Sequence, residues 1–349
     1  MRIINIFFIS LLVPFLGLLS GAYLSLQQNA SALHVPVGNL EPYLLDLTEY
    51  TLSLEENIGF IQQSVEEQQL QQLENELVLK ELAQRTDTQK KLSDEIYEQR
   101  ILNRLGPPVN EHSSERVEIK IFELKGLGYR GYIAKIKLHD PSVFKVVLSN
   151  DKLGESETTS TAVRRTNAVL GINAGGFFRL AQDGKEYTLP IGNTMIDSKF
   201  IDGFKPSHND LFFAGIDSEG ELLGGVFFEK DKLMQLKPLS GVSFVPALIK
   251  NRKPLPIPSK WQNQKQPRTI IGEYGNDDLI LIVVDGRQSD WSSGVTLEHL
   301  QIKLLELGII EAYNLDGGGS SAFVFNNQVL NRPSDGKERP VATNIVIMP

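Results

Sequence analysis

The triplet Gly106-Pro107-Pro108 divides this chain into two parts with different hydrophobic periods. Before it, apolar residues recur in steps of three and four, the spacing of a helix face. After it, short runs alternate apolar and polar positions, the spacing of strands. A glycine followed by two prolines ends a helix, because proline lacks an N–H and fixes its φ near −65°. With 349 residues, the chain has room for one large domain or two, plus further segments.

The first part begins with an almost wholly apolar, uncharged stretch over residues 3–26, preceded only by Arg2. At about 1.5 Å rise per residue it is long enough to span a bilayer, with the charged end inside. Ala30-Ser31-Ala32 has the small-x-small form of a signal-peptidase site. Residues 1–32 therefore read as a signal peptide or an N-terminal membrane anchor, and the length of the apolar stretch favours the anchor. Either way the remainder is expected outside the cytoplasmic membrane, secreted if cleavage follows Ala32. The absence of cysteine is compatible with that location.

Residues 43–105 carry Leu47, Thr51, Leu54, Ile58, Ile61 and Val65 at heptad spacing, a coiled-coil seam. The seam weakens at Gln68 and Gln72. A second set, Leu70, Leu73 and Leu77, is out of register, and Leu92, Ile96 and Leu105 continue less regularly. The expectation is a helical, coiled-coil-like stalk that offers a route to a homo-oligomer. The alternative is a helical hairpin packed on the following domain.

Residues 117–349 read as that domain. Strands are expected over 117–122, 132–138, 144–148 and 168–173, with a short helix over 158–166. Asp217-Ser218-Glu219-Gly220 marks a hairpin between strands at 211–216 and 222–228. The continuous apolar run at 279–284 suits a central strand buried on both faces. Residues 297–307 form the clearest helix, capped by Thr296 and Gly308. Closing strands are expected at 312–315, 322–325 and 343–347. The proline-rich stretch 253–258 reads as a surface loop. The whole is expected to be an α+β fold: a strand-rich domain with a mixed sheet and few helices, behind the stalk and the membrane-spanning or signal segment.

Charge and motifs exclude several chemistries. A net charge of −8 without a basic stripe argues against nucleic acid. The five histidines are scattered, without the paired spacing of a zinc hydrolase. There is no phosphate-binding Gly-x-x-x-x-Gly-Lys loop and no Gly-x-Ser-x-Gly elbow. No cofactor is expected, and the metal requirement is left open.

The most informative run is Ala312-Tyr313-Asn314-Leu315-Asp316-Gly317-Gly318-Gly319-Ser320-Ser321-Ala322-Phe323. It reads as strand, turn, strand. A two-residue turn needs less, whereas consecutive glycines let N–H groups converge on an anion. Asp316 beside such a nest suits a ligand whose phosphate adjoins a reacting carbon.

Other candidates stand at strand ends. Asn173 precedes Ala174, Gly175 and Gly176, where substrate can approach the backbone and the amide can bind a sugar hydroxyl. Phe177 and Phe178 are core residues or sugar-stacking aromatics, one expected inside and one at the pocket. Arg268, after Pro267, suits a phosphate held by paired hydrogen bonds, or is a surface arginine. Asp285-Gly286-Arg287 is either a salt-bridged turn or a second carboxylate with an arginine near phosphate. Arg339 is a weaker candidate.

Four segments, Gly171 to Phe178, Gln266 to Gly272, Val283 to Arg287 and Asp316 to Ser321, resemble in this order the motifs of the phosphodiester glycosidase family. The resemblance runs from about Val117 to the C-terminus. It implies a hydrolase that cleaves a sugar-1-phosphodiester at the glycosidic C–O bond. On the chemistry of the residues, Asp316 would be the catalytic nucleophile or base and Asp285 the second carboxylate; the resemblance does not settle which aspartate attacks. Arg268, Arg287, Asn173, Gly176, Phe177, Gly317, Gly318, Gly319, Ser320 and Ser321 would bind substrate and phosphate. A cell-envelope or exopolysaccharide substrate suits an exported chain. The competing expectation is a non-catalytic module that binds phosphorylated surface polysaccharide.

Overall fold

The computed structural model describes residues 87–208 and 210–349, together with helical positions 65, 68, 69, 71 and 72. The expected membrane or signal segment and the heptad seam up to Ile61 lie outside the described residues. Among the described residues, no helix is long and apolar enough to cross a membrane.

The described residues form twenty strands, β1 to β20 in chain order. The largest sheet is centred on β16 (Leu279–Val284), β15 (Arg268–Tyr274) and β17 (Ile309–Leu315). On one side of β16 lie β3 (Tyr129–Leu138), β2 (Val117–Gly126) and β1 (Asn110–Ser113). Beyond β17 lie β13 (Ala247–Lys250) and β14 (Lys253–Pro254), so the order is β1-β2-β3-β16-β15-β17-β13-β14. The run read as a central strand is one. Leu279, Leu281 and Val283 enter one core cluster and Ile280, Ile282 and Val284 the other, as the two-residue side-chain period requires.

Two five-stranded sheets contribute to the first cluster. One contains β5 (Leu170–Asn173), β18 (Phe323–Phe325), β19 (Gln328–Val329), β20 (Thr343–Ile347) and β4 (Phe144–Leu148). The other contains β8 (Met195–Ile196), β9 (Lys199–Phe200), β10 (Phe212–Asp217), β11 (Leu222–Gly225) and β12 (Pro238–Phe244). A hairpin arm, β6 (Phe177–Gln182) and β7 (Lys185–Pro190), stands apart from them.

Four helices occur among the described residues: α1 (Asp87–Leu105), α2 (Thr159–Thr166), α3 (Lys230–Met234) and α4 (Leu297–Glu306). Leu297, Leu300 and Leu304 of α4 and Ile101 of α1 share the second cluster with Ile280 and Ile282. Thr158 caps α2 and Thr296 caps α4 through their hydroxyls, satisfying N–H groups the first turn leaves free.

The expected fold class is corrected in two respects. First, every strand pairing described is antiparallel, not mixed. Strands β16 and β17 are joined through α4 and run in the same direction. Here β15 lies between β16 and β17 and runs against both. Second, the last part of the expected stalk is not a free rod. Tyr97 and Ile101 of α1 are buried. Glu98 pairs with Lys120 and Lys135 of the sheet, and Asp94 with Lys137 at 2.6 Å. Polar side chains that suggested a solvated coil are thus the docking face of α1.

Candidate active site

The site forms where the C-terminal ends of β5 and β17 meet the start of β15. Asn173, at the end of β5, is fully buried. Its Oδ1 accepts hydrogen bonds from Thr269 Oγ1 (2.8 Å) and the Ala322 N–H (3.1 Å). Its Nδ2 donates to the Asp316 carbonyl at 2.5 Å. The amide expected to meet a sugar hydroxyl therefore spans three strand ends instead. The Asp316 N–H donates to Ala174 O at 3.0 Å, so both sides of the Asp316 peptide are fixed.

Asp316 stands at the head of the glycine turn. Asp316 is half-buried as a residue, and its carboxylate sits deep among protein atoms. Desolvation pushes its pKa up to about 6, opposed by the Ser320 hydroxyl, the charge of Arg339 and the Gly317 N–H. The Ser320 hydroxyl is itself buried and makes no hydrogen bond of full geometry. It stands near the carboxylate with bonding capacity unused.

The glycines do less anion binding than their sequence suggests. The N–H groups of Gly318, Ser320 and Ser321 donate to the carbonyls of Pro267, Gly317 and Gly318. The reason for glycine here is proximity to other groups. A Cβ on Gly317 would lie 2.8 Å from Pro267 O, and one on Gly318 would lie 3.0 Å from Arg287 Nη2. At Gly319 it would collide with Arg339 Nη2, 1.9 Å away. Two guanidinium groups thus rest on consecutive glycines. Gly176 is a packing glycine as well, since a Cβ there would meet the Phe244 ring at 2.5 Å. The Ser321 hydroxyl is buried and receives a long contact of 3.4 Å from Thr269 Oγ1.

Asp285, the expected second carboxylate, is buried with both oxygens occupied. Oδ1 accepts from Asn331 Nδ2 (2.9 Å) and the Arg332 N–H (3.0 Å), and Oδ2 accepts from Trp291 Nε1 (2.8 Å). Desolvation raises its pKa, and these donors oppose the rise. The geometry makes it a clasp between residues 285–292 and 331–332. Arg268 is 3% exposed and donates to Gln264 O (2.7 Å) and Val295 O (3.3 Å). Thr269 faces Asn173, so strand alternation turns Arg268 to the other face. Desolvation lowers its pKa to about 10. Arg287 is exposed and donates through Nε to Gln266 Oε1 at 2.7 Å.

Phe177 is half-buried and Phe178 exposed at the base of the β6–β7 arm, so neither enters the core as expected. Sequence reasoning passed over Thr269, Trp291, Asn331 and Asp335. Thr269 follows Arg268 directly, and Asp335 lies four residues before Arg339. The spacing carries no sign that Thr269 reaches Asn173 or that Asp335 reaches the glycine turn. Among the described residues no cluster of acidic residues and histidines could hold a metal ion.

A family model described as phosphodiester glycosidase matches residues 166–348, just over half of this chain. The chain belongs to the phosphodiester glycosidase family. The SPbeta prophage-derived uncharacterized protein YomE of Bacillus subtilis (strain 168) is 31% identical over 195 residues, covering 55% of this phosphodiester glycosidase family member and 29% of YomE. N-acetylglucosamine-1-phosphodiester alpha-N-acetylglucosaminidase of Mus musculus is 26% identical over 254 residues, 66% of this chain and 46% of its own length. The Homo sapiens enzyme of that name is 31% identical over 180 residues, 46% of this chain and 33% of its own. The chain thus spans less than half the length of these curated relatives. The solved zebrafish catalytic domain of that name, auto-inhibited by pro-peptide, superposes with a TM-score of 0.54 at 21% identity. The superposition covers 69% of this chain and 87% of that domain, a likeness of fold.

Proposed function

We propose that this phosphodiester glycosidase family member hydrolyses a sugar-1-phosphodiester at the bond between the anomeric carbon and its oxygen. The observation that carries the reading is Asp316: a desolvated carboxylate of pKa about 6 on a glycine turn overlain by Arg287 and Arg339. A carboxylate stabilises or attacks the oxocarbenium-like carbon that forms as the glycosidic bond breaks. The departing phosphomonoester takes both bonding electrons with its oxygen. It needs charge neutralisation more than a proton, and guanidinium groups supply that. Water then adds to the sugar carbon, its proton going to a carboxylate or solvent. Asp285 acts through position, holding the loops beside the turn. An envelope or exopolysaccharide substrate outside the cytoplasmic membrane belongs to this proposal, motivated by the apolar N-terminal stretch.

The test is turnover of a panel of sugar-1-phosphodiesters in water enriched in heavy oxygen. The phosphate product should carry no label. Free sugars exchange their anomeric oxygen with water, so the phosphate is the product to read. Label in the phosphate would place attack at phosphorus and reject the mechanism. Binding without turnover across the panel would favour the non-catalytic module.

A further inference from the structure

Arg339 belongs to a charged turn at residues 333–339 whose other side chains, Asp335 among them, have no part in the chemistry above. It is closed by a hydrogen bond from the Gly336 N–H to Pro333 O at 3.0 Å. Within it, Asp335 Oδ2 accepts from Arg339 Nη2 at 2.8 Å, and Oδ1 accepts from the Ser334 hydroxyl at 3.1 Å. The position of this ion pair is what matters. A Cβ on Gly319 would stand 1.9 Å from Arg339 Nη2 and 2.4 Å from Asp335 Oδ2. The Asp335 carboxylate therefore lies directly on the glycine turn beside Arg339, with Arg287 over the preceding glycine. The hydrogen bond from Arg339 holds the Asp335 carboxyl below the usual carboxylate range, and the charge of Arg287 adds to the effect. Two guanidinium groups lie over this turn, and the buried Ser320 hydroxyl stands beside the Asp316 carboxylate without a hydrogen bond of full geometry. That set of donors is an anion receptor, and the anion now resting on it is a side chain of the protein.

We infer that Asp335 is an internal stand-in for phosphate, displaced from Arg339 when a phosphate monoester occupies the glycine turn. The inference rests on the reading of the site as one for sugar phosphodiesters, and adds a residue that sets its affinity for the phosphate-bearing product. The exchange is feasible because Arg339 and Asp335 are 36% and 40% exposed, and exposed ion pairs of this kind contribute little to stability. A phosphate dianion offers Arg339 two parallel hydrogen bonds and can also engage Arg287. By competing for Arg339, Asp335 weakens product binding and favours release of the phosphomonoester.

The experiment is calorimetric titration of the full chain with inorganic phosphate at fixed ionic strength. Asp335→Asn should bind phosphate about tenfold more tightly than the wild type, a change of ~1.4 kcal/mol. Asp335→Ser, a second replacement without a carboxylate, should move the same way. Arg339→Gln should weaken binding by at least about tenfold. Unchanged or weaker binding in both Asp335 variants, or wild-type binding in Arg339→Gln, overturns the proposal. The readout does not depend on catalysis. Failure of the sugar panel would leave a positive phosphate result standing, and turnover with unaltered phosphate affinity would remove only the role of Asp335.

Discussion

The Asn173 amide and the Asp316 carbonyl are 143 positions apart in the chain and 2.5 Å apart in space. Because Asn173 also accepts from Thr269 and Ala322, its loss strands several buried polar groups. Asn173→Ala is expected to lower stability by ~2–4 kcal/mol and kcat by roughly 10²-fold, since small displacements of a reacting group cost that much. Denaturant unfolding and steady-state kinetics check both. A stable variant with normal kcat would show that the hydrogen bonds do not position Asp316.

The pH profile follows from Asp316. In its proposed role as nucleophile or base it must be ionised, so kcat/KM should fall as pH drops through about 6 and fall about tenfold per unit below that. A rate that instead fell as pH rose above 6 would make the protonated form of Asp316 the active one. Asp316→Asn should abolish turnover without lowering stability at pH 7, because it removes a desolvated charge.

Asp285→Asn should behave differently. The amide nitrogen would face donors from Trp291, Asn331 and Arg332, so stability should fall by ~1–3 kcal/mol together with activity. Thermal melting separates the two aspartates. A catalytically dead Asp285→Asn with an unaltered melt would restore Asp285 to a direct chemical role.

Glu273, on β15, is 6% exposed and accepts a hydrogen bond from the Leu222 N–H at 2.7 Å. Desolvation raises its pKa from 4.5 to about 7. A carboxyl with a raised folded-state value favours the folded state fully below 4.5 and loses that contribution as pH rises through 7. Glu273→Gln should therefore be more stable than wild type at pH 8, by a margin on the order of 3 kcal/mol. The margin should vanish near pH 4, as urea midpoints at the two pH values would show. Equal midpoints at pH 8 would mean that Glu273 does not titrate in this way.

The packing of α1 bears on where the domain can be cut. A fragment beginning at Val117 loses Ile101 and Tyr97 and leaves Lys135 with fewer carboxylates. It should be less stable than one beginning at Leu82, which retains all of α1. Circular dichroism melts of the two fragments decide this. Equal melting temperatures would return α1 to the status of a detachable rod.

Local signals were legible where short-range chemistry writes them. The doubly buried strand β16, the Thr296-capped helix α4 and the hairpin after Asp217 follow from period and turn residues alone. The family, and Asp316 at a strand end, were legible from motif order. What escaped was direction. Sequence places Arg268 and Thr269 side by side, but pleating sends one to each face of the sheet. It marks three glycines, but not that arginines 31 residues before and 20 residues after Gly318 and Gly319 come to rest on them. It shows Asp285 at a strand end, but not the indole, amide and backbone N–H that occupy its oxygens.

The clasp at Asn173 also has a kinetic meaning. Contacts between residues far apart in the chain form late, because each closes a long loop before it is rewarded. The Asp316 turn is held by Ala174, Asn173 and Pro267, so no local segment can assemble it alone. During refolding, catalytic competence should therefore lag behind secondary structure and return only with the last cooperative step. Enzymatic activity then reports completion of the fold rather than its onset.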